Sequence, residues 1–452
     1  MNKTSKHQLN DKRIINAWAF FDWANSSYAL TIAVAIFPAY YYAVTMEEVA
    51  VFNQPISNSA LYTFAISAAY LILAAFSPLL SGIADYGGKK MVFMRAFTII
   101  GGMACIGLAL FQGMDDALPA TAAFNEWQIG IGIFCFMLAT MGFAGSLVFY
   151  NAYLPEIASE DQYDRVSAKG FAYGYIGSVI LLIINLVVVQ KPDWFGIENV
   201  SWGPRISFIM VGLWWIGFAL IPFRRLPQDV KAKSSENLMK KGLEELKKVW
   251  QQVKVERNIK SFLGAFFCYS AGVQTILFLA TIFATKELNF GAGELIGVVL
   301  ILQVVAILGA YLFAKLSERK GNIFSLTSMM FIWIAICITA FFVTESWQFY
   351  AVASGVGLVM GGVQSLSRST YSKLLPENTT DTTSFFSFYD ILEKLAIVLG
   401  TFIFGLVDQL FGMRNSVLIL AIFFIAGLII LRKVKVETRP AQLDTIKHLT
   451  DD

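Results

Sequence analysis

Histidine is nearly missing from this chain: His7 and His448 are the only two in 452 residues, and both lie in polar tails. That excludes an intramembrane HExxH metalloprotease and leaves a haem iron without an axial histidine at depth. Cysteine is scarce as well. Cys105, Cys135, Cys268 and Cys337 each stand alone in an apolar run, so neither a disulfide framework nor a CxxC redox or metal pair is available. They read as small core residues. No glycine-rich phosphate loop with a following Gly-Lys-Ser or Gly-Lys-Thr occurs, so ATP is not the evident energy source. Charged residues make up only 15%, where soluble chains carry about 25%. The formal net charge of +3 is too small to imply nucleic acid.

Apolar residues fill the deficit. They reach 56%, with 39 Phe and 10 Trp, and the mean hydropathy is +0.60. In water such a chain would expose contiguous apolar surface, which soluble proteins avoid. Lipid removes that penalty, and the chain reads as an integral membrane protein.

A hydrocarbon core about 30 Å thick needs about 20 apolar residues per helix, and twelve runs of that kind occur. The first six are Ile15 to Tyr41, Ala60 to Ala84, Met91 to Gln112, Trp127 to Tyr153, Val166 to Val189 and Pro204 to Phe223. The second six are Ser261 to Ala284, Glu294 to Leu316, Ile323 to Val343, Trp347 to Arg368, Thr383 to Val407 and Met413 to Leu431. The first run is longer than the about 7–15 residues of a signal-peptide core and contains Asp22, so it reads as a span.

Lys and Arg set the orientation. Lys12, Arg13, Lys89, Lys90, Arg165, Arg224, Arg225, Lys315, Arg319, Lys320, Lys373, Arg432 and Lys433 fall on the side of both termini, which is therefore expected to be cytoplasmic. The opposite loops hold Lys191, Arg205, Lys286 and Arg414 together with acidic residues such as Glu47, Glu48, Asp115 and Asp116. The expected organisation is an N-terminal six-helix bundle (1–223), a cytoplasmic linker (224–260), a C-terminal six-helix bundle (261–431) and a cytoplasmic tail (432–452). Within the linker, Met239, Leu243, Leu246, Trp250 and Val253 recur at steps of 4, 3, 4 and 3, the stripe of an amphipathic helix. Its simplest role is to tether the two bundles; a partner site is the alternative.

The two halves repeat each other. SGIADYGGKK (Ser81 to Lys90) and AKLSERKGNI (Ala314 to Ile323) both place an acid, Asp85 or Glu318, three residues before a glycine. Leu154-Pro155-Glu156 likewise matches Leu375-Pro376-Glu377, and a longer loop after the third span than after the ninth accounts for the shift between the two registers. Internal repeats of this kind build transporter sites at the interface of two halves.

Twelve spans in a 6+6 arrangement with SGIADYGGKK after the second resemble the major facilitator superfamily, with Ser81 standing where that loop motif begins with glycine. WAFFDWANSSY (Trp18 to Tyr28), FYNAYLPE (Phe149 to Glu156), GYIGS (Gly174 to Ser178) and GGVQSLSR (Gly361 to Arg368) are similar to its vacuole-effluxer-like branch, which contains fungal autophagy-related vacuolar amino-acid exporters and bacterial relatives of unassigned substrate. The resemblance implies an all-α membrane fold of two pseudo-symmetric six-helix bundles. It implies a cavity lined by spans one, four, seven and ten, hence by Asp22, Asn25, Tyr150, Gln274 and Gln364. It also gives Asp85, Gly88, Lys89 and Lys90 a gating role. Physics agrees: an acid at the inner end of span two can meet the positive N-terminus of span eleven in one conformation only.

An ionisable group at membrane depth costs about 2.5–3.5 kcal/mol or more, so each needs an explanation. Asp22, Asn25 and Ser26 share one helix face near the cytoplasmic boundary and serve either transport or a structural salt bridge or cap. Asp390, Glu393 and Lys394 lie about 8 to 12 residues into span eleven, near mid-membrane. Asp390 and Lys394, at i and i+4, can neutralise each other. Glu393 is then either a proton carrier, tuned toward neutrality by low dielectric, or the buried partner of a base such as Lys394. Gln364 and Arg368 share a face of span ten, and Tyr150 and Asn151 occupy the matching place on span four. The Arg368 fork suits a carboxylate, although near a helix end it can equally snorkel or gate. Gln274 and Gln303 add uncharged donors and acceptors.

The expectation is a secondary active transporter with alternating access, driven by protons and carrying amino acids or similar small polar solutes. Asp22, Asn25, Tyr150, Asn151, Gln274, Gln303, Gln364 and Arg368 are the candidate substrate contacts; Glu393, Asp390 and Asp22 the candidate proton carriers; Asp85, Gly88, Lys89, Lys90, Lys394 and Glu318 the candidate gate. No cofactor or metal is called for, and no nucleophile and base pair stands out at depth to suggest an enzyme. The expected partners are a small-molecule substrate, protons and the lipid bilayer, for a monomer that sits in the plasma (inner) membrane if the source is bacterial. A lipid or amphiphile carrier and a non-transporting receptor or scaffold of the same fold are the alternatives.

Overall fold

A computed structural model of the chain describes residues 9–46, 48–51, 54–112, 122–199, 201–228, 238–376 and 379–436. His7, His448, Glu47, Asp115, Asp116, Glu377, the side chains of Glu48 and Lys286, and most of the expected tail lie outside the described residues.

Apolar runs in lipid must satisfy every backbone group internally, and here they do so as helices. The first span is one helical stretch in three parts: α1 (Lys12–Ser27), a π-helical segment (Tyr28–Ile36) and α2 (Phe37–Val44). A short antiparallel hairpin, β1 (Glu48–Val51) with β2 (Gln54–Ser57), follows in the first loop. Then come α3 (Asn58–Gly87), α4 (Lys90–Gly107), α5 (Ala122–Asn151), the single turn α6 (Leu154–Ile157), α7 (Tyr163–Gln190) and α8 (Trp202–Arg225). The linker helix α9 (Leu238–Val255) precedes α10 (Arg257–Leu288), α11 (Ala292–Lys320), α12 (Asn322–Phe341), α13 (Ser346–Leu374), α14 (Thr382–Phe411) and α15 (Met413–Leu431). Among the described residues ten helical stretches are long and apolar enough to cross a membrane. The remaining two expected spans are α10 and α14, helices of 32 and 30 residues, and they carry Gln274 and the Asp390, Glu393, Lys394 group. Large apolar side chains such as Phe64, Phe76, Leu308, Phe402 and Ile422 point outward, as lipid contact requires.

The chain forms two compact units. One comprises Phe20–Tyr150 and Tyr173–Gly242. Helices have no hydrophobic drive to associate inside lipid, so they pack by close van der Waals fit at small residues. In this unit a Cβ on Gly212 would come 2.5 Å from the Gly102 carbonyl, and one on Gly102 would strike the Ile216 side chain at 2.5 Å, which makes α4 and α8 meet along a glycine seam.

The other unit comprises Met1–Ala19, Asn151–Ala172 and Leu243–Asp452. Its main seam joins α11 to α13. Gly357 and Gly361 stand four apart on α13: a Cβ on Gly357 would sit 2.6 Å from the Leu302 carbonyl, and one on Gly361 would collide with the Ala306 carbonyl. The start of the chain and the α5–α7 connection are thus built into the same unit as the C-terminal helices.

The repeated loop has a backbone reason. Gly88 ends α3 with φ 57° and ψ 50°, its N–H bonded to the Ala84 carbonyl, and Gly321 ends α11 with φ 86°, its N–H bonded to the Ser317 carbonyl. Positive φ is where glycine alone pays no steric penalty, so both copies need it at the same place.

Candidate functional site

In the unit of Phe20–Tyr150 and Tyr173–Gly242, the polar groups of α1 meet α5. Tyr150 donates its hydroxyl to Asp22 Oδ2 at 2.7 Å, and Ser146 donates to Asn25 Oδ1 at 3.4 Å. All four are buried, and the Asn25 Nδ2 amide has no hydrogen-bond partner although it is shut off from solvent. An orphan buried donor is costly, which sets this amide apart from its bonded neighbours. Just beyond it the α-helix widens into Tyr28–Ile36, and π-helical turns concentrate at functional positions. Asp22, Asn25 and Tyr150 thereby lie together in this unit.

What holds α1 there is glycine on α7. A Cβ on Gly174 would come 2.5 Å from Ser26 Oγ, and one on Gly177 would come 2.7 Å from the Trp23 carbonyl. The WAFFDWANSSY and GYIGS segments are therefore two sides of one contact. Trp214 of α8 completes the wall, donating from Nε1 to the Trp23 carbonyl at 3.3 Å with the two indoles stacked at 5.7 Å.

The second polar cluster lies in the other unit, on α14 and α10. Lys394 Nζ is 2.8 Å from Asp390 Oδ1 and 3.2 Å from Glu393 Oε2. Gln274 Nε2 donates to Glu393 Oε1 at 3.0 Å. One cation thus faces two carboxylates, leaving the group one negative charge in excess when both acids are ionised. Glu393 is the least buried of the three: its side chain is 25% exposed, against 5% for Asp390 and 7% for Lys394. Gly400 allows α14 to approach α10, since a Cβ there would strike Thr275 and the Ala271 carbonyl. Gln303 lies on α11 with its carbonyl oxygen buried and without a hydrogen-bond partner, and Gln364 is part-buried on α13.

Arg368 is bonded to polar groups of its own unit. Its Nε donates to Ser167 Oγ and an Nη to the Ser167 carbonyl, each at 2.9 Å, and the other Nη reaches Asn151 Oδ1 at 3.2 Å. The rings of Phe171 and Trp18 cover it at 4.3 and 4.6 Å from their centroids. In this conformation the guanidinium binds the α5–α7 connection and the start of α1. Nearby, Lys169 of α7 donates to Asn16.

Sequence reading missed a second knot in that unit. Asp164, at the start of α7, accepts from Lys373 Nζ at 2.8 Å, from Ser317 Oγ at 2.8 Å and from Asn322 Nδ2 at 2.7 Å. Asn322 also accepts from Lys373 at 2.8 Å, and every member is buried. No local pattern marks these residues, because polar side chains at helix ends are ordinary. The candidate Glu318, next to Ser317, is exposed, whereas Lys90 is buried and Asp85, Gly88 and Lys89 are part-buried at the α3–α4 turn.

Paired glycine seams, two compact units and polar groups isolated within apolar helices are the features of a membrane transporter, and the fold is that of the major facilitator superfamily. The chain superposes on the proton:xylose symporter XylE bound to 6-bromo-6-deoxy-D-glucose with a TM-score of 0.70, over 93% of this chain and 95% of that one, at 12% identity. More narrowly, residues 10–442 match the family described as vacuole effluxer Atg22 like, and the chain belongs to that family. It is 31% identical over 425 residues to the MFS-type transporter YxiO of Bacillus subtilis, covering 94% of this chain and 95% of the relative. It is 23% identical over 433 residues to autophagy-related protein 22 of Eremothecium gossypii, covering 87% and 81%. The protein is thus a multi-pass integral membrane transporter of a small-molecule substrate, and not an enzyme.

Proposed function

We propose that the protein is a proton-coupled secondary transporter that works by alternating access and moves small polar solutes of the amino-acid type. Glu393 carries the reading. It is the accessible carboxylate of a group that holds two acids against one lysine, and its other oxygen accepts from a neutral amide, Gln274. A proton and a solute ammonium can each neutralise that excess charge, which is the chemistry of coupling. Asp22, Tyr150 and Asn25 supply the complementary donors and acceptors, with Gln303 and Gln364 as further contacts. Arg368 with Asn151, the Asp164–Lys373 knot, and the Asp85 to Lys90 turn with Glu318 form the gate, and Lys394 moves between its two acids. The Lys/Arg distribution supports placing both termini in the cytoplasm, and the transporter acts as a monomer.

The test is transport by the purified protein in vesicles loaded with an amino-acid mixture. Wild type is expected to exchange labelled amino acid and to accumulate it under a proton gradient. Glu393→Gln should keep the exchange and lose the accumulation. Accumulation by the variant at the wild-type level would remove Glu393 from the proton path.

One observation favours a second reading, an amphiphile carrier. Between the C-terminal helices lies a half-open crevice of about 50 Å³, with room for the end of one acyl chain and lined wholly by apolar side chains, among them Ile276, Phe283, Leu302, Phe349, Val356 and Phe404. Uptake of a lysolipid but of no amino acid in the same vesicles would select it.

A further inference from the structure

The linker helix α9 has three faces, and the fold accounts for two of them. Gly242, Val249 and Val253 are buried. Lys248 is held by Asp381 at 2.7 Å and Glu245 at 3.1 Å, and the Asp381 hydrogen bond raises its pKa above the ordinary lysine value. Met239, Leu243 and Trp250 are also apolar, yet they are 63%, 51% and 44% exposed, although one face of Trp250 stacks on Phe388. At about 100° per residue these three fall within about 40° of one another. Directly beside them, at a spacing of seven, run the exposed Lys240, Lys247 and Lys254, the last 5.1 Å from the Trp250 ring. An exposed apolar edge bordered by a lysine row is the pattern of a helix lying in a lipid interface.

Covalent placement puts one end of this helix at the membrane boundary. Glu256 alone separates α9 from α10, which enters the expected seventh span about four residues later, so the end of α9 is held within about 10 Å of the hydrocarbon. From 224 to 260 the chain carries eleven basic residues against five acidic ones. The charge therefore selects among possible occupants.

We propose that α9 is docked on anionic phospholipid, with Met239, Leu243 and the free edge of Trp250 inserted below the headgroups and Lys240, Lys247 and Lys254 paired with lipid phosphates. Each lysine gains from the negative surface potential, while the apolar edge supplies burial that neutral lipid alone would leave weak and reversible. The phosphate belongs to the bilayer, since a soluble anion would engage the lysines and leave the apolar edge wet.

The experiment places an environment-sensitive fluorophore on Leu243→Cys, in a full-length chain whose four native cysteines are replaced by serine. The protein is embedded in nanodiscs of phosphatidylcholine, with or without phosphatidylglycerol. With the anionic lipid the label should shift to the blue, become quenchable by brominated phospholipid and lose most of its quenching by iodide. The triple variant Lys240→Gln, Lys247→Gln, Lys254→Gln should lower the inserted fraction by roughly tenfold or more, and raised salt should mimic it. Three results would overturn the proposal. A label equally open to iodide in both lipids leaves the face in water. A label shielded in neutral lipid and in the triple variant alike means that another segment of this chain covers it. Disulfide-linked dimers formed by the unlabelled Leu243→Cys chain mean that a second copy does.

Discussion

Arg368 and Ser167 are bonded twice, through the serine hydroxyl and through its carbonyl, both at 2.9 Å. The residue that looked suited to a solute carboxylate instead ties α13 to the start of α7, with Phe171 and Trp18 closing over the ion. The guanidinium makes its bonds to Ser167 and Asn151 from three separate nitrogens in one plane and turns its faces to two rings; a compact ammonium carries its donors on one nitrogen and has no face to stack. Arg368→Lys should therefore weaken this closure, lower the melting temperature by several degrees and raise thiol-reagent access to a cysteine placed at Ser167. An unchanged melting temperature and unchanged access would leave Arg368 free for a substrate role.

The Asp164–Lys373 pair makes a separate prediction. Removing one partner of a buried ion pair strands the other, typically at about 3–5 kcal/mol, whereas replacing both can be nearly neutral. Asp164→Asn and Lys373→Met are each expected to destabilise the purified protein, and the double variant should recover much of the loss. Additive losses in thermal unfolding would show that the two charges act independently.

Gly174 and Gly177 face the same helix but different atoms. A Cβ at 174 meets the movable Ser26 hydroxyl, while one at 177 meets the Trp23 backbone carbonyl. Gly177→Ala should cost about 1–3 kcal/mol of overpacking and shift α1, and Gly174→Ala should cost less. Thermal unfolding of the two variants measures the order, which a merely permissive seam would not produce.

Asp22 and Tyr150 share one hydrogen bond at 2.7 Å. Tyr150→Phe removes the donor and leaves the carboxylate buried beside Asn25, so it should reduce substrate affinity by roughly tenfold, the loss of about 1.4 kcal/mol expected for a bond to a charged acceptor. Asp22→Asn should be more severe. Equal affinity in wild type and both variants, read by equilibrium binding of labelled substrate, would move the site elsewhere.

Much of this architecture was legible before any coordinates. Helix positions followed from apolar run length, since lipid leaves the backbone no other solution, and the Asp85–Gly88 and Glu318–Gly321 correspondence turned out to mark two left-handed or positive-φ helix ends. The Asp390–Lys394 pair followed from their spacing, because i and i+4 meet on any α-helix. The π-helical widening at Tyr28 carried no signal of its own, for its hydrogen bonds depend on what packs around it.

The sequence by itself determined that this chain lives in lipid, that its apolar runs are helices and which acids lie within them, because hydropathy and helical spacing are local properties. Only the tertiary structure decided what those groups meet: that Arg368 binds Ser167 and Asn151, that Asp164 gathers Lys373, Ser317 and Asn322, and that Glu393 rests on Gln274. Those contacts join residues far apart in the chain, and their partners are chosen by how glycine seams set helix against helix.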